Sequence, residues 1–185
     1  MTLHRLGAGV FTIPGFLTPE ECASFIARSE RIGYSEAAIR TADGDLVYKD
    51  ARNNDRIIFD DGELADSLFS RAGALLPAEL DGWCLSGFNE RFRFYRYDQS
   101  QQFTWHLDGT VRLRPDRESV LTFMIYLNDD FEGGNTDFGW ETVKPVQGMA
   151  LGFPHRLRHQ GAMVRSGIKY VLRTDVLYQQ TPSRP

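Results

Sequence analysis

Arg91-Phe92-Arg93-Phe94-Tyr95-Arg96-Tyr97 alternates charged and aromatic side chains. Successive side chains on a strand point to opposite faces, so this run reads as a half-buried β-strand. Downstream, Val120-Leu121-Thr122-Phe123-Met124-Ile125-Tyr126-Leu127 is a more fully apolar strand, stopped by Asn128-Asp129-Asp130. Gly133-Gly134-Asn135 marks a turn before Thr136-Asp137-Phe138. Further strands are expected at Ala150-Leu151-Gly152-Phe153 and from Tyr170 to Tyr178.

Upstream, the first third reads as helical. Thr18-Pro19-Glu20-Glu21 offers an N-cap, a proline at the first helical position and an acid three residues after the cap. Cys22, Phe25 and Ile26 form an apolar stripe on a helix running to about Arg31. A second helix is expected from about Gly62 to Leu75, with Leu64, Leu68, Ala72 and Leu75 on one side and Pro77 as its stop. The polar stretches Thr41-Ala42-Asp43-Gly44-Asp45 and Asp50-Ala51-Arg52-Asn53-Asn54-Asp55 read as a long surface loop. Two helices followed by roughly eight short strands predict an α+β, mainly β chain. A double-sheet jelly roll, with the helices covering one sheet, fits that count. One domain over residues 1–185 is expected, with helical support over about 1–85 and the β core over about 86–180.

At 185 residues the chain is long enough to bury a substantial core, and its 42% hydrophobic and 25% charged content is that of a soluble globular protein. No apolar run approaches the roughly 18 residues of a membrane span, and the first residues lack the apolar stretch of a secretory signal. Cys22 and Cys84 make neither a disulfide framework nor a four-cysteine zinc site, so a cytoplasmic location is expected. The net charge of −4 is unevenly spread. Arg91 to Arg117 carries arginines 91, 93, 96, 112, 114 and 117 against three aspartates, and His155 to Arg173 has five cations and no acid. Such a field favours an anionic substrate or cosubstrate. No aromatic-and-basic motif points to nucleic acid.

Within Phe103-Thr104-Trp105-His106-Leu107-Asp108-Gly109, strand alternation would put His106 and Asp108 on one face, where both can hold one metal ion. A second histidine lies downstream in His159-Gln160-Gly161. Two histidines and a carboxylate form the facial triad of non-haem Fe(II) sites.

The C-terminal third is denser in signals. His159-x-Gly161, then Val164, then Gly167-x-Lys169 resembles the C-terminal motif of the prolyl 4-hydroxylase-like family of 2-oxoglutarate- and Fe(II)-dependent dioxygenases. Tyr97, Ile125-Tyr126-Leu127-Asn128 and Glu132-Gly133-Gly134-Asn135-Thr136-Asp137-Phe138 are similar to further segments of that family in the same order, over about Arg91 to Tyr178. The resemblance implies a double-stranded β-helix (jelly roll), with His106, Asp108 and His159 as iron ligands. It places Lys169 where the family's basic residue binds the distal carboxylate of 2-oxoglutarate. Arg173, four residues along the same strand face, is an alternative for that role, because guanidinium grips a carboxylate bidentately. Tyr97 and Tyr126 are expected to donate hydroxyl hydrogen bonds to the cosubstrate. His155 competes with His159 as ligand, but the downstream glycine and lysine spacing belongs to His159, which leaves His155 at the rim or behind the ligands.

The implied activity is hydroxylation of an unactivated C–H bond with O2, releasing succinate and CO2, and with ascorbate keeping the iron reduced. The substrate is a small molecule, an amino acid or a peptide, with a prolyl residue among the options. The segments Gly109 to Ser119, with Arg112 and Arg114, and Arg40 to Asp55 are expected to form the rim and lid. Nucleic acid and membrane are not expected as partners, and the sequence leaves the oligomeric state open. A zinc hydrolase, a non-catalytic jelly-roll metal- or ligand-binding module and a nucleic-acid demethylase of the same superfamily are the competing readings.

Overall fold

The computed structural model describes residues 1–36, 39–41, 44–46 and 52–180. Eight strands carry the core: β1 (Arg91–Tyr97), β2 (Phe103–His106), β3 (Arg117–Tyr126), β4 (Thr136–Asp137), β5 (Thr142–Val143), β6 (Ala150–Pro154), β7 (His159–Gly161) and β8 (Lys169–Gln180). The chain passes back and forth between two antiparallel sheets. One has the order β6-β3-β8-β1, the other β2-β7-β4-β5. This is the expected double-stranded β-helix.

The two faces of the larger sheet differ in chemistry because each strand alternates. On β1, Phe92 and Phe94 face outward into one apolar cluster, whereas Tyr95 and Tyr97 face inward into another. On β8, Leu172, Val176 and Tyr178 join the outer cluster. Lys169, Val171 and Arg173, opposite Tyr97, Tyr95 and Arg93, lie on the inner face. On β3 an extra residue, Val120, separates the register Ser119–Leu177 from Leu121–Val176. That bulge reverses the parity, so Ser119 and Thr122 both point inward.

Two helices cover the outer face. α1 (Pro19–Ile32) begins at Thr18, whose hydroxyl accepts from the Glu21 N–H while the Glu21 carboxylate accepts from the Thr18 N–H. α2 (Gly62–Ala72) is capped by Asp61, which accepts from the Leu64 N–H. Cys22, Ala65, Leu68 and Ala72 pack with Phe92, Phe94, Phe123 and Ile125. Burying one such leucine stabilises the fold by roughly 1.5–3 kcal/mol. Arg71 to Glu21 (2.6 Å) and Arg28 to Asp61 (2.9 Å) tie each helix to the other's N-terminal end.

Two expectations need correction. α2 stops at Ala72, not Leu75: Gly73 donates to the Phe69 carbonyl, and Leu75 and Leu76 fold back on the Ala72 carbonyl as a turn. The first third is also not mainly helical. Val10–Ile13 is a fully buried strand that extends the larger sheet beyond β6, and Asp55–Asp60 extends it beyond β1. The first is too short to show a period. The second is bracketed by acids that read as loop, but Asp55 and Asp60 lie opposite Arg96 and Arg91 and pair with them at 2.8 and 3.0 Å.

Candidate metal centre

β2 and β7 are antiparallel neighbours, and His106 and His159 are direct cross-strand partners with ring centroids 4.2 Å apart. Each imidazole is held from behind. Nδ1 of His106 lies 2.6 Å from the Thr104 carbonyl and Nδ1 of His159 lies 2.9 Å from that of Leu157. A carbonyl only accepts, so each Nδ1 carries the hydrogen and each Nε2 presents its lone pair to the cavity. Phe103 stacks on His106 at 3.5 Å, and Phe153 meets His159 edge-on at 4.5 Å.

Asp108 completes the group, though not as strand alternation suggests. β2 ends at His106, and Asp108 lies beyond it, with its N–H donating to the His155 carbonyl (3.1 Å). Its carboxylate oxygens lie 3.7 Å from each Nε2, and the three donor atoms all fall within 4.8 Å of one another. Burial lowers both imidazoles, His106 to about 4, so they are neutral ligands near neutral pH. Burial also pushes the Asp108 carboxyl up, but Arg173, His159 and the Thr122 hydroxyl outweigh it and hold the group below the usual carboxylate range. Two neutral imidazoles and one carboxylate in a half-closed cavity are a donor set that fits a divalent first-row metal.

Behind Asp108 runs a buried network. Thr122 donates to Asp108 Oδ2 (2.5 Å), His155 Nδ1 meets the Thr122 hydroxyl (3.0 Å), and His155 Nε2 meets the Ser119 hydroxyl (3.0 Å). His155 is 4% exposed and is not part of the His–Asp–His group. A larger cavity, about 320 Å³, opens beside it between Phe11, Leu80, Trp83 and Pro154, away from the three donor atoms.

Both Nη atoms of Arg173 are engaged: Nη1 donates to Asp108 (2.8 Å), and Nη2 to Asp175 and to the Thr122 hydroxyl (3.3 Å each). Asp175 also accepts from Arg93 (3.2 Å), which separates two arginines lying directly opposite each other. Lys169 differs. It is 2% exposed, donates among the described residues only to the Gly134 carbonyl (2.6 Å), and lies 5.1 and 5.3 Å from the Tyr97 and Tyr126 ring centroids. Burial alone brings its amine down to about 7. Gly134 sits at φ +63, where an added Cβ would come within 2.8 Å of the Phe131 ring and 3.2 Å of Lys169 Cδ. Tyr126 bonds the Thr136 hydroxyl (2.7 Å), and burial pushes the Tyr97 phenol up to about 12.

The expected rim and lid are only partly traced. Arg112 and Arg114 pair with Glu118 and Asp116 on an exposed hairpin. Of Arg40 to Asp55, residues 42, 43 and 47–51 lie outside the described residues. Arg52 is described; it is buried and bridges to Phe103, where the sequence alone reads as exposed loop.

Residues 92–174 match the sequence profile of the 2OG-Fe(II) oxygenase superfamily. The PKHD-type hydroxylase MADE_1018490 of Alteromonas mediterranea is 26% identical over 175 residues, covering 84% of this chain and 72% of its own. The PKHD-type hydroxylase YbiX of Escherichia coli is 24% identical over 184 residues, covering 86% and 74%. Among solved structures, the Pseudomonas putida prolyl-4-hydroxylase superposes with a TM-score of 0.69 at 18% identity, covering 94% of each chain. The viral collagen prolyl hydroxylase of Paramecium bursaria Chlorella virus-1, in complex with 2OG, gives 0.67 at 21% identity, covering 95% and 98%. No helix among the described residues is long and apolar enough to cross a membrane.

Proposed function

We propose that this chain is a 2-oxoglutarate- and Fe(II)-dependent hydroxylase in which His106, Asp108 and His159 hold the iron and Lys169 anchors the cosubstrate. The observation that carries this is the pair of imidazoles fixed from behind at Nδ1, with both Nε2 atoms 3.7 Å from one carboxylate. Loaded with iron, 2-oxoglutarate and O2, such a site hydroxylates an unactivated C–H bond and releases succinate and CO2.

The chain's own residues supply position and charge. A buried ammonium with one carbonyl partner is costly until an anion joins it, and the far carboxylate of 2-oxoglutarate is such an anion. Tyr97 and Tyr126, over which the amine sits, are placed to hydrogen-bond the same molecule. Arg173, already paired with Asp108 and Asp175, orients the ligand carboxylate instead. The space between ligands and lysine is only about 30 Å³, so the cosubstrate displaces side chains such as Met124 on arrival. A cytoplasmic setting, in which ascorbate would keep the iron ferrous, belongs to the same reading. The substrate is an amino acid or peptide, a prolyl residue included. The chain acts as one domain over 1–185 and needs no nucleic acid.

The test is anaerobic titration with Fe(II) and then 2-oxoglutarate, following the visible charge-transfer band of the chelate. A one-to-one band is expected, and on admitting oxygen, succinate forms. Iron binding without a band would reduce the chain to a metal-binding module.

A further inference from the structure

Arg52 follows the segment 47–51 and bridges to Phe103 at the start of β2. It is 5% exposed, with its guanidinium carbon 4.7 Å from the Tyr95 ring centroid and 4.5 Å from that of Phe103. Phe103 in turn stacks on His106, so one ring separates this guanidinium from a proposed iron ligand. Arg52 Nε donates to Asn54 (2.8 Å), but Nη2 is buried with no partner among the described residues. Arg52 pairs with no carboxylate among the described residues. Arg173, which lines the same cavity as Tyr95 and Phe103, has its Nε buried and, among the described residues, unpartnered too. Buried guanidinium donors left open are expensive, and a carboxylate is the ligand whose geometry fills them best.

The charges around the cavity do not balance. Lys169 and Arg173 line it, Arg52 stands behind the Tyr95 and Phe103 rings and Arg93 behind Asp175, and the carboxylates among these groups in the described residues are Asp108 and Asp175. A ferrous ion adds two positive charges and 2-oxoglutarate removes two, so among the described residues a surplus of two remains. Tyr95 feels it: burial pushes its phenol up, yet Arg173, Arg52 and Arg93 bring it below its ordinary value. The surplus also sits apart from the cosubstrate anchor. Lys169 and Arg173 are four residues apart on β8, roughly 13 Å at strand spacing, and Arg173 is level with Asp108. 2-Oxoglutarate has one carboxylate for the metal and one for Lys169, and none left over.

From this geometry we infer that Arg52 and the open edge of Arg173, beside Tyr95, form a second anion subsite that takes a carboxylate of the substrate itself. The inference rests on the iron and 2-oxoglutarate reading above. It narrows the substrate class to carboxylate-bearing molecules, either with a free α-carboxylate or with an acidic side chain in a peptide.

The test uses protein loaded anaerobically with Fe(II) and 2-oxoglutarate. N-acetyl derivatives of the common L-amino acids are titrated in, each as free acid and as carboxamide, following perturbation of the charge-transfer band and heat of binding. Either at least one free acid is expected to bind roughly tenfold or more tighter than its carboxamide, or the aspartyl or glutamyl carboxamide is expected to bind tighter than its asparaginyl or glutaminyl counterpart by the same margin. Arg52→Gln erases that preference and Arg52→Lys keeps part of it, with the band itself intact in both. Binding of carboxamides confined to aspartyl and glutamyl derivatives assigns the carboxylate to a side chain; preference for the free acids assigns it to the chain end. A wild-type band with acids and carboxamides bound alike and no preference for aspartyl and glutamyl derivatives over asparaginyl and glutaminyl ones, or with none bound, overturns the subsite and leaves the iron reading standing. Loss of the band in folded Arg52→Gln also overturns it, because the arginine would then serve the cosubstrate. A wild-type protein with no band at all refutes the iron reading, and the subsite falls with it.

Discussion

Replacing Lys169 by methionine should strengthen the empty fold and weaken its hold on 2-oxoglutarate. The amine is buried, its donors meet only the Gly134 carbonyl, and burial lowers it from 10.5 to about 7. At about 1.4 kcal/mol per pKa unit, that corresponds to a penalty on the order of 5 kcal/mol for the charged form. Methionine fills similar space without that penalty and forfeits one hydrogen bond of about 1 kcal/mol, so the cosubstrate-free variant should be more stable by about 1–4 kcal/mol. The loss appears on binding. A charge-assisted bond to a carboxylate contributes about 1.5–3 kcal/mol, so affinity for 2-oxoglutarate should fall roughly ten- to hundredfold while iron affinity stays unchanged.

The sign of the pH dependence follows from the same burial. Between pH about 7 and 10.5 the unfolded chain holds a proton on this amine that the folded chain lacks. Stability of the cosubstrate-free wild type therefore rises with pH across that window, and the methionine variant lacks this component. Affinity for 2-oxoglutarate runs the other way in wild type, weakening above pH 7 because the ammonium must be re-formed. Chemical denaturation across that range and anaerobic titration of iron and then cosubstrate measure both. Equal losses of iron and cosubstrate affinity, or unchanged cosubstrate affinity in a folded variant, would refute the anchoring role.

Other residues give separable outcomes. His159→Ala and Asp108→Ala should abolish the charge-transfer band. His155→Ala should leave it while lowering stability by about 1–3 kcal/mol, since the Thr122 and Ser119 hydroxyls lose a buried partner; thermal melts and the band are read together. Arg173→Met removes the main field that depresses Asp108, so metal binding, lost as pH falls, should be lost at a higher pH than in wild type when iron titrations are repeated at stepped acidity. Gly152→Ala would drive a Cβ to 2.1 Å from the Phe11 ring and should cost about 1–3 kcal/mol in denaturant titration, leaving affinity per folded molecule unchanged.

What the sequence disclosed was what is local. The alternation of Arg91 to Tyr97, the capping box at Thr18 and the apolar run before Asn128 each carry their signal within one turn or strand, and each forms where expected. His106, Asp108 and His159 were legible because spacing and residue type together are rare. The route by which Asp108 reaches them was not, because it depends on a loop hydrogen bond to His155. Val10–Ile13 is a strand only because β6 offers it a partner, and no window of four residues records its neighbour. Arg52 was invisible for the same reason. Amid Asn and Asp it reads as loop, and only the approach of Tyr95 and Phe103 from β1 and β2 makes it a buried cation.

β8 joins these two kinds of information. Its even positions, Leu172, Val176 and Tyr178, pack against the helices' side of the sheet and contribute apolar burial. Its odd positions, Lys169, Arg173 and Asp175, are charged groups taken out of water on the inner side. A strand of that composition would not hold a cation-rich inner face on its own terms, since each buried charge lacking a full set of partners costs several kcal/mol. The outer face offsets that cost, and the inner face is left with more positive charge than its own carboxylates neutralise. On the proposed reading, anions arriving with the reaction would complete the electrostatics of the site, and affinity for acids would be built into the same twelve residues that hold the sheet together.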